Sequence, residues 1–138
     1  MNLEIAQGNG LEDNTAVRAT RSEASRKWKE HVVKEFDSEV KRSIESAIYG
    51  TVGGGVLKAL YKHLKEQYNI SPAEIPYRLD AVFETLEQTF GVKGARTLSR
   101  AIAKRLNFRL NLQFVEKDDY RLQDYVEQAK KQLRLQAD

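Results

Sequence analysis

Residues 44–64 read IESAIYGTVGGGVLKALYKHL, and the reading of their glycines decides the fold. Four of the eight glycines in the chain, Gly50, Gly53, Gly54 and Gly55, interrupt an otherwise helical pattern. Each weakens a helix by about 1 kcal/mol relative to alanine, because glycine surrenders the most backbone freedom on folding. Three arrangements could offset that loss: a sharp turn between two helices, a close helix crossing, or a backbone cradle for an anion. Spacing rejects the cradle. A Walker-type phosphate loop needs lysine directly after the last glycine and a hydroxyl beside it, whereas Gly55 is followed by Val56 and Leu57, and Lys58 has no Ser or Thr next to it. The dinucleotide fingerprint G-x-G-x-x-G is missing too, and no strand pattern precedes the glycines. The stretch therefore reads as a structural hinge formed by Gly50, Gly53, Gly54 and Gly55.

Working outward, the residues before the hinge carry one apolar stripe. Trp28, Val32, Phe36, Val40, Ile44 and Ile48 recur every four residues, which predicts a long helix from about Ser22 to Tyr49. Residues 1–21 are polar, without a sustained period, and read as a flexible N-terminal arm with Arg18 and Arg21 at its end. After the hinge, Val56, Leu57, Leu60, Tyr61, Leu64 and Tyr68 mark a second helix stopped at Asn69. Ser71-Pro72-Ala73-Glu74 is a capping box with proline at the first helical position, and Pro76 limits that element to about one turn or restarts the helix at Tyr77. Leu79, Val82, Phe83, Leu86 and Phe90 form the next stripe, with Gly91 as a left-handed terminator.

A further helix is expected from Gly94 to about Asn107, with Ala95, Leu98, Ala101, Ile102 and Leu106 inward. Then the period changes to two: Phe108, Leu110, Leu112 and Phe114 alternate with Arg109, Asn111, Gln113 and Val115. No partner strand is evident, so 108–115 continues as helix, lies extended over the core, or pairs with its copy in a dimer. Asp118 or Asp119 is the expected cap of a last helix carrying Leu122, Tyr125, Val126, Ala129 and Leu133. The expectation is an all-α, single-domain bundle of about five helices over 22–138, with a glycine-rich joint and a short extended segment near 108–115.

Part of this order is shared with a known family. Tyr61-Lys62-His63-Leu64, Ile70, Ile75-Pro76, Phe83-Glu84-Thr85-Leu86-Glu87, Phe90-Gly91, then Ile102 and Leu106 make a pattern that resembles the archaeal Nitrosopumilus-type output-domain family across about 44–106. The resemblance implies an archaeal, all-helical, non-enzymatic module. It carries over no functional residues, since the matching positions are core and turn residues.

Composition narrows the chemistry. The chain has no Cys, which removes disulfides, thiolate nucleophiles and cysteine metal sites together. The opening MNLEIAQGNGLEDN lacks the basic and apolar regions of a signal peptide, and the weakly polar run Ser46–Leu57 is too short to span a bilayer. A cytoplasmic, membrane-free protein is expected. His31 and His63 are far apart and stand in no metal-ligand spacing. Asp80, Glu84 and Glu87 share a helix face, as surface carboxylates routinely do, and no G-x-S-x-G elbow occurs. No enzyme, cofactor, metal or small-molecule ligand is inferred.

The strongest functional signal is an asymmetry of charge. The net charge is only +3, yet from Gln88 to Val115 there is no Asp or Glu, while Lys93, Arg96, Arg100, Lys104, Arg105 and Arg109 fall in that window. Arg96, Arg100 and Lys104, four apart, stand one above another on a helix. The six together are the expected nucleic-acid-binding residues, contacting phosphates of RNA, DNA or a ribonucleoprotein such as the ribosome without reading base edges. The rival expectation is a protein–protein interaction or output module, in which the long first helix and the strand-like segment make a homodimer or receive a partner helix and those charges are only a solvated helix face.

Overall fold

The computed structural model describes residues 35–137. The expected arm 1–21, the beginning of the first helix with its serine caps and Trp28, and His31 lie outside the described residues. Every regular element among the described residues is helical: α1 (35–52), α2 (Gly54–Tyr68), a 3-10 helix (Pro72–Tyr77), α3 (Leu79–Arg109) and α4 (Leu122–Ala137). The protein is an all-α helical bundle.

The stripes read from the sequence are the core. Phe36, Val40, Ile44 and Ile48 of α1, Leu60 and Leu64 of α2, Ile75 of the 3-10 helix, Val82 and Leu86 in the first half of α3, Ile102 and Leu106 in its second half, and Leu122 of α4 are all buried in one cluster. α2, the 3-10 helix and α4 all pack against α3. Polar ties add register: the Tyr61 hydroxyl donates to the Glu45 carboxylate, joining α2 to α1, and Tyr68 donates to Glu84, joining α2 to α3.

The joint between α1 and α2 is a single residue. Gly53 adopts φ 97° and ψ 167°, a region open essentially to glycine alone. Its N–H closes α1 on the carbonyls of Ile48 and Tyr49 at 3.2 and 3.1 Å, and its own carbonyl receives the Leu57 N–H at 3.3 Å to open α2. The four-glycine hinge is thus narrower than expected: Gly50 belongs to α1 and Gly54 and Gly55 to α2. Gly91 repeats the device inside α3, with φ 80° and ψ 173°. It has the positive φ of the expected terminator but a ψ outside the left-handed helical well, and the helix resumes at once rather than at Gly94.

Ends and turns follow local chemistry. Asn69 terminates α2 in the left-handed conformation (φ 54°, ψ 42°), with the Ile70 N–H returning 3.1 Å to the Leu64 carbonyl and the Ile70 side chain buried. The Glu74 carboxylate accepts the Ser71 N–H at 2.9 Å, and Pro76 keeps that element a short 3-10 helix, so the following helix restarts at Leu79.

The alternating stretch 108–115 is divided. Phe108 and Arg109 prolong α3, Asn111 takes a left-handed conformation (φ 57°), and the Leu112 N–H closes on the Asn107 carbonyl at 2.7 Å. Beyond Leu112 the chain runs without regular structure to Lys117, burying Leu112 and half-burying Phe114. The expected cap of α4 also moves: Asp118 and Asp119 occupy a turn, and the Asp124 carboxylate, inside the first turn of α4, accepts the Arg121 N–H at 2.9 Å.

Two glycine substitutions separate joint from helix. A Cβ at either Gly53 or Gly55 would meet nothing within 4 Å, so the outcome depends on backbone conformation. Gly53→Ala is expected to cost about 1–3 kcal/mol and Gly55→Ala to stabilise by up to about 1 kcal/mol, measured by urea unfolding followed by circular dichroism.

Candidate nucleic-acid interface

The second half of α3 buries Ala95, Leu98, Ser99, Ile102, Ala103 and Leu106. That inward face fixes where the cations stand. Lys93, Arg96, Arg100 and Lys104 follow one another at steps of three or four and form one stripe about 16 Å long. Lys93 and Lys104 are exposed, and Arg96 and Arg100 are half-buried. Among the described residues none of the four lies within ion-pair distance of a carboxylate.

Their contacts differ. Arg96 donates to the backbone carbonyl of Asp118 at 3.3 Å and so braces the turn before α4. Arg100 donates to the Thr97 hydroxyl at 3.4 Å, a local bond that keeps the guanidinium along the helix surface. The Lys104 ammonium stands 5.7 Å from the centroid of the Phe114 ring, within cation–π reach.

Arg105 and Arg109 are not on this stripe. They turn toward α1, where Arg105 donates to the Ser46 hydroxyl and Arg109 pairs with Glu39. Glu39 also accepts from Arg42 at 3.3 Å, and its side chain is only 14% exposed. The Arg109 guanidinium holds the Glu39 carboxyl below the usual carboxylate range, and Glu39 in turn raises Arg109. The expected six-residue patch therefore divides into a stripe of four without carboxylate partners and two further exposed arginines, Arg105 and Arg109, that reach across to α1 and tie α3 to it. An acid-free sequence window could not reveal Glu39, which lies 70 residues earlier in the chain.

One residue of the face was missed. Phe108 is 85% exposed and follows Lys104 by four residues, so it continues the cationic stripe by one turn. The signal was present in the i, i+4 spacing, but the two-residue alternation beginning at Phe108 drew it into a different element.

No family model, curated protein or solved structure matches the chain. Among the described residues no group of three or more His, Asp or Glu side chains is placed to hold a metal ion. No helix among them is long and apolar enough to cross a membrane.

The Glu39–Arg109 pair has a pH signature. Because the Glu39 pKa is lowered in the folded protein, its stabilisation is present above the unfolded value of about 4.3 and is lost as pH falls through the folded value. Glu39→Gln is expected to cost up to about 1 kcal/mol near pH 7 and much less near pH 2, measured by urea unfolding at both pH values.

Proposed function

We propose that this protein is a small non-enzymatic regulatory factor that binds nucleic acid, or a ribonucleoprotein such as the ribosome, through the outward stripe of α3. The observation that carries this reading is the stripe itself: Lys93, Arg96, Arg100 and Lys104 without a carboxylate partner among the described residues, ending in an exposed phenylalanine. Cations that are not internally paired present positive potential to phosphates and release counterions on contact. An exposed aromatic beside such a row supplies a surface on which a base can stack whatever its sequence. Arg109 is excluded from phosphate contact in this reading, since Glu39 already neutralises it. The resemblance to the archaeal output-domain family adds an archaeal, non-enzymatic module to the proposal.

Phe108 also supports the rival reading, a protein-interaction module that docks a partner or a second copy through this exposed aromatic face. Sedimentation separates the two: a concentration-dependent dimer that ignores RNA favours the rival.

For the leading reading, affinity for a mixed-sequence RNA is expected to fall steeply between about 50 and 200 mM salt, with a slope of about −0.7 per phosphate neutralised on a single strand. Combined Lys93→Glu, Arg100→Glu and Lys104→Glu substitution should abolish binding, whereas Arg109→Gln should leave the slope unchanged. Fluorescence anisotropy of a labelled oligonucleotide reads both, and binding that survives the triple reversal removes the stripe from the interface.

A further inference from the structure

Resting on the nucleic-acid reading above, we propose that the cleft between the 112–117 segment and α4 receives one unstacked base, so that the ligand is single-stranded. The cleft holds about 200 Å³ and is lined by Phe114, Tyr120 and Tyr125 together with the amides of Asn107, Gln128 and Gln132. That is below the roughly 300 Å³ at which sites for drug-sized ligands begin, and suits a single ring system.

The aromatic wall is fixed in place. Tyr125 is 4% exposed, and its hydroxyl both donates to the Lys117 carbonyl at 2.9 Å and accepts the Lys117 N–H at 3.0 Å. Phe114 and Tyr120 lean on it, with centroids at 5.5 and 5.1 Å, and both remain half-buried, leaving ring surface for a base. Such a wall gives up little conformational freedom when a ligand stacks on it.

The amides are held by their neighbour on the segment. The Asn107 Nδ2 and the Gln132 Nε2 both donate to the carbonyl of Gln113, at 2.9 and 3.3 Å. Each amide keeps one N–H donor and its carbonyl oxygen, so the lining offers both a donor and an acceptor to the edge of an entering base and accepts any base type.

The position completes the argument. Lys104, the last cation of the stripe, stands over Phe114, and Lys117 lines the cleft. A base entering here would carry its flanking phosphates toward these two ammonium groups. Because Glu116, Asp118 and Asp119 are exposed on the segment leading into α4, the strand is directed away from them and back along α3. A paired base in a duplex cannot make this entry without leaving its stack.

The test compares four probes on the full-length chain at one salt concentration: a single-stranded RNA 12-mer rich in A and C, the same sequence as a duplex, an abasic 12-mer, and cytidine monophosphate. The single strand is expected to bind at least tenfold more tightly than the duplex or the abasic strand. Phe114→Ala and Tyr120→Ala should each lose about five- to a hundredfold on the single strand, with abasic binding and the salt slope as in the wild type. Equal binding of single and abasic strands overturns the pocket and leaves the phosphate stripe standing. Binding of none of the polymers overturns both. Cytidine monophosphate that displaces the 12-mer at micromolar concentration reassigns the cleft to a soluble nucleotide and overturns the polymer site. Should the aromatic variants fail to fold, the contrast between single and abasic strands is repeated on Phe108→Ala: a preference that survives belongs to the cleft, and one that vanishes belongs to Phe108 and overturns the cleft.

Discussion

The described fold depends on the apolar burial along α3. α2, the 3-10 helix and α4 each find their buried partner there, and side chains from its second half reach α1 through Arg105 and Arg109. A helix that serves so many neighbours cannot spread its inward residues over one stripe of constant direction. The break at Gly91 solves this by letting two helical halves present their apolar faces at different angles. The same helix that anchors the core thereby carries the outward cations. Core packing sets the direction in which Lys93, Arg100 and Lys104 point, so the cationic face inherits the rigidity of the interior.

Much of this was legible in the chain because it rests on local chemistry. The stripes of Val40, Ile44 and Ile48, of Leu60 and Leu64, and of Val82 and Leu86 repeat with helical period, and each is buried. Asn69 and the Ser71–Glu74 pair act within a few residues, so their roles could be read directly. At 108–115, where helix, an extended run over the core and pairing in a dimer were all open, the first two share the stretch: Phe108 and Arg109 prolong α3, Asn111 closes it in a left-handed turn, and the chain then runs extended with Leu112 buried. At α4 two aspartates stood where a cap was expected, yet Asp124, within the first turn, reaches the Arg121 N–H.

The candidate face shows the same division. That Lys93, Arg96, Arg100 and Lys104 share a stripe follows from spacing alone. That Arg105 and Arg109 do not face the same way depends on α1, far earlier in the sequence, and charge counting within a window is blind to it. Likewise the aromatic cleft joins Phe114 in the segment after α3 to Tyr125 on α4, a pairing made by tertiary packing and marked by no motif.

The segment between α3 and α4 is held in an uncommon manner. Its backbone is fastened by side chains rather than by a ladder: the amides of Asn107 and Gln132 on the Gln113 carbonyl, the Tyr125 hydroxyl on both polar groups of Lys117, and Arg96 on the carbonyl of Asp118. Most of these clamps grip carbonyls, so they restrain the path of the chain without occupying its amide hydrogens. Such a strap can exchange its amide protons with solvent while Leu112 in the core and Phe114 against Tyr125 hold its path and the helices on either side stay closed.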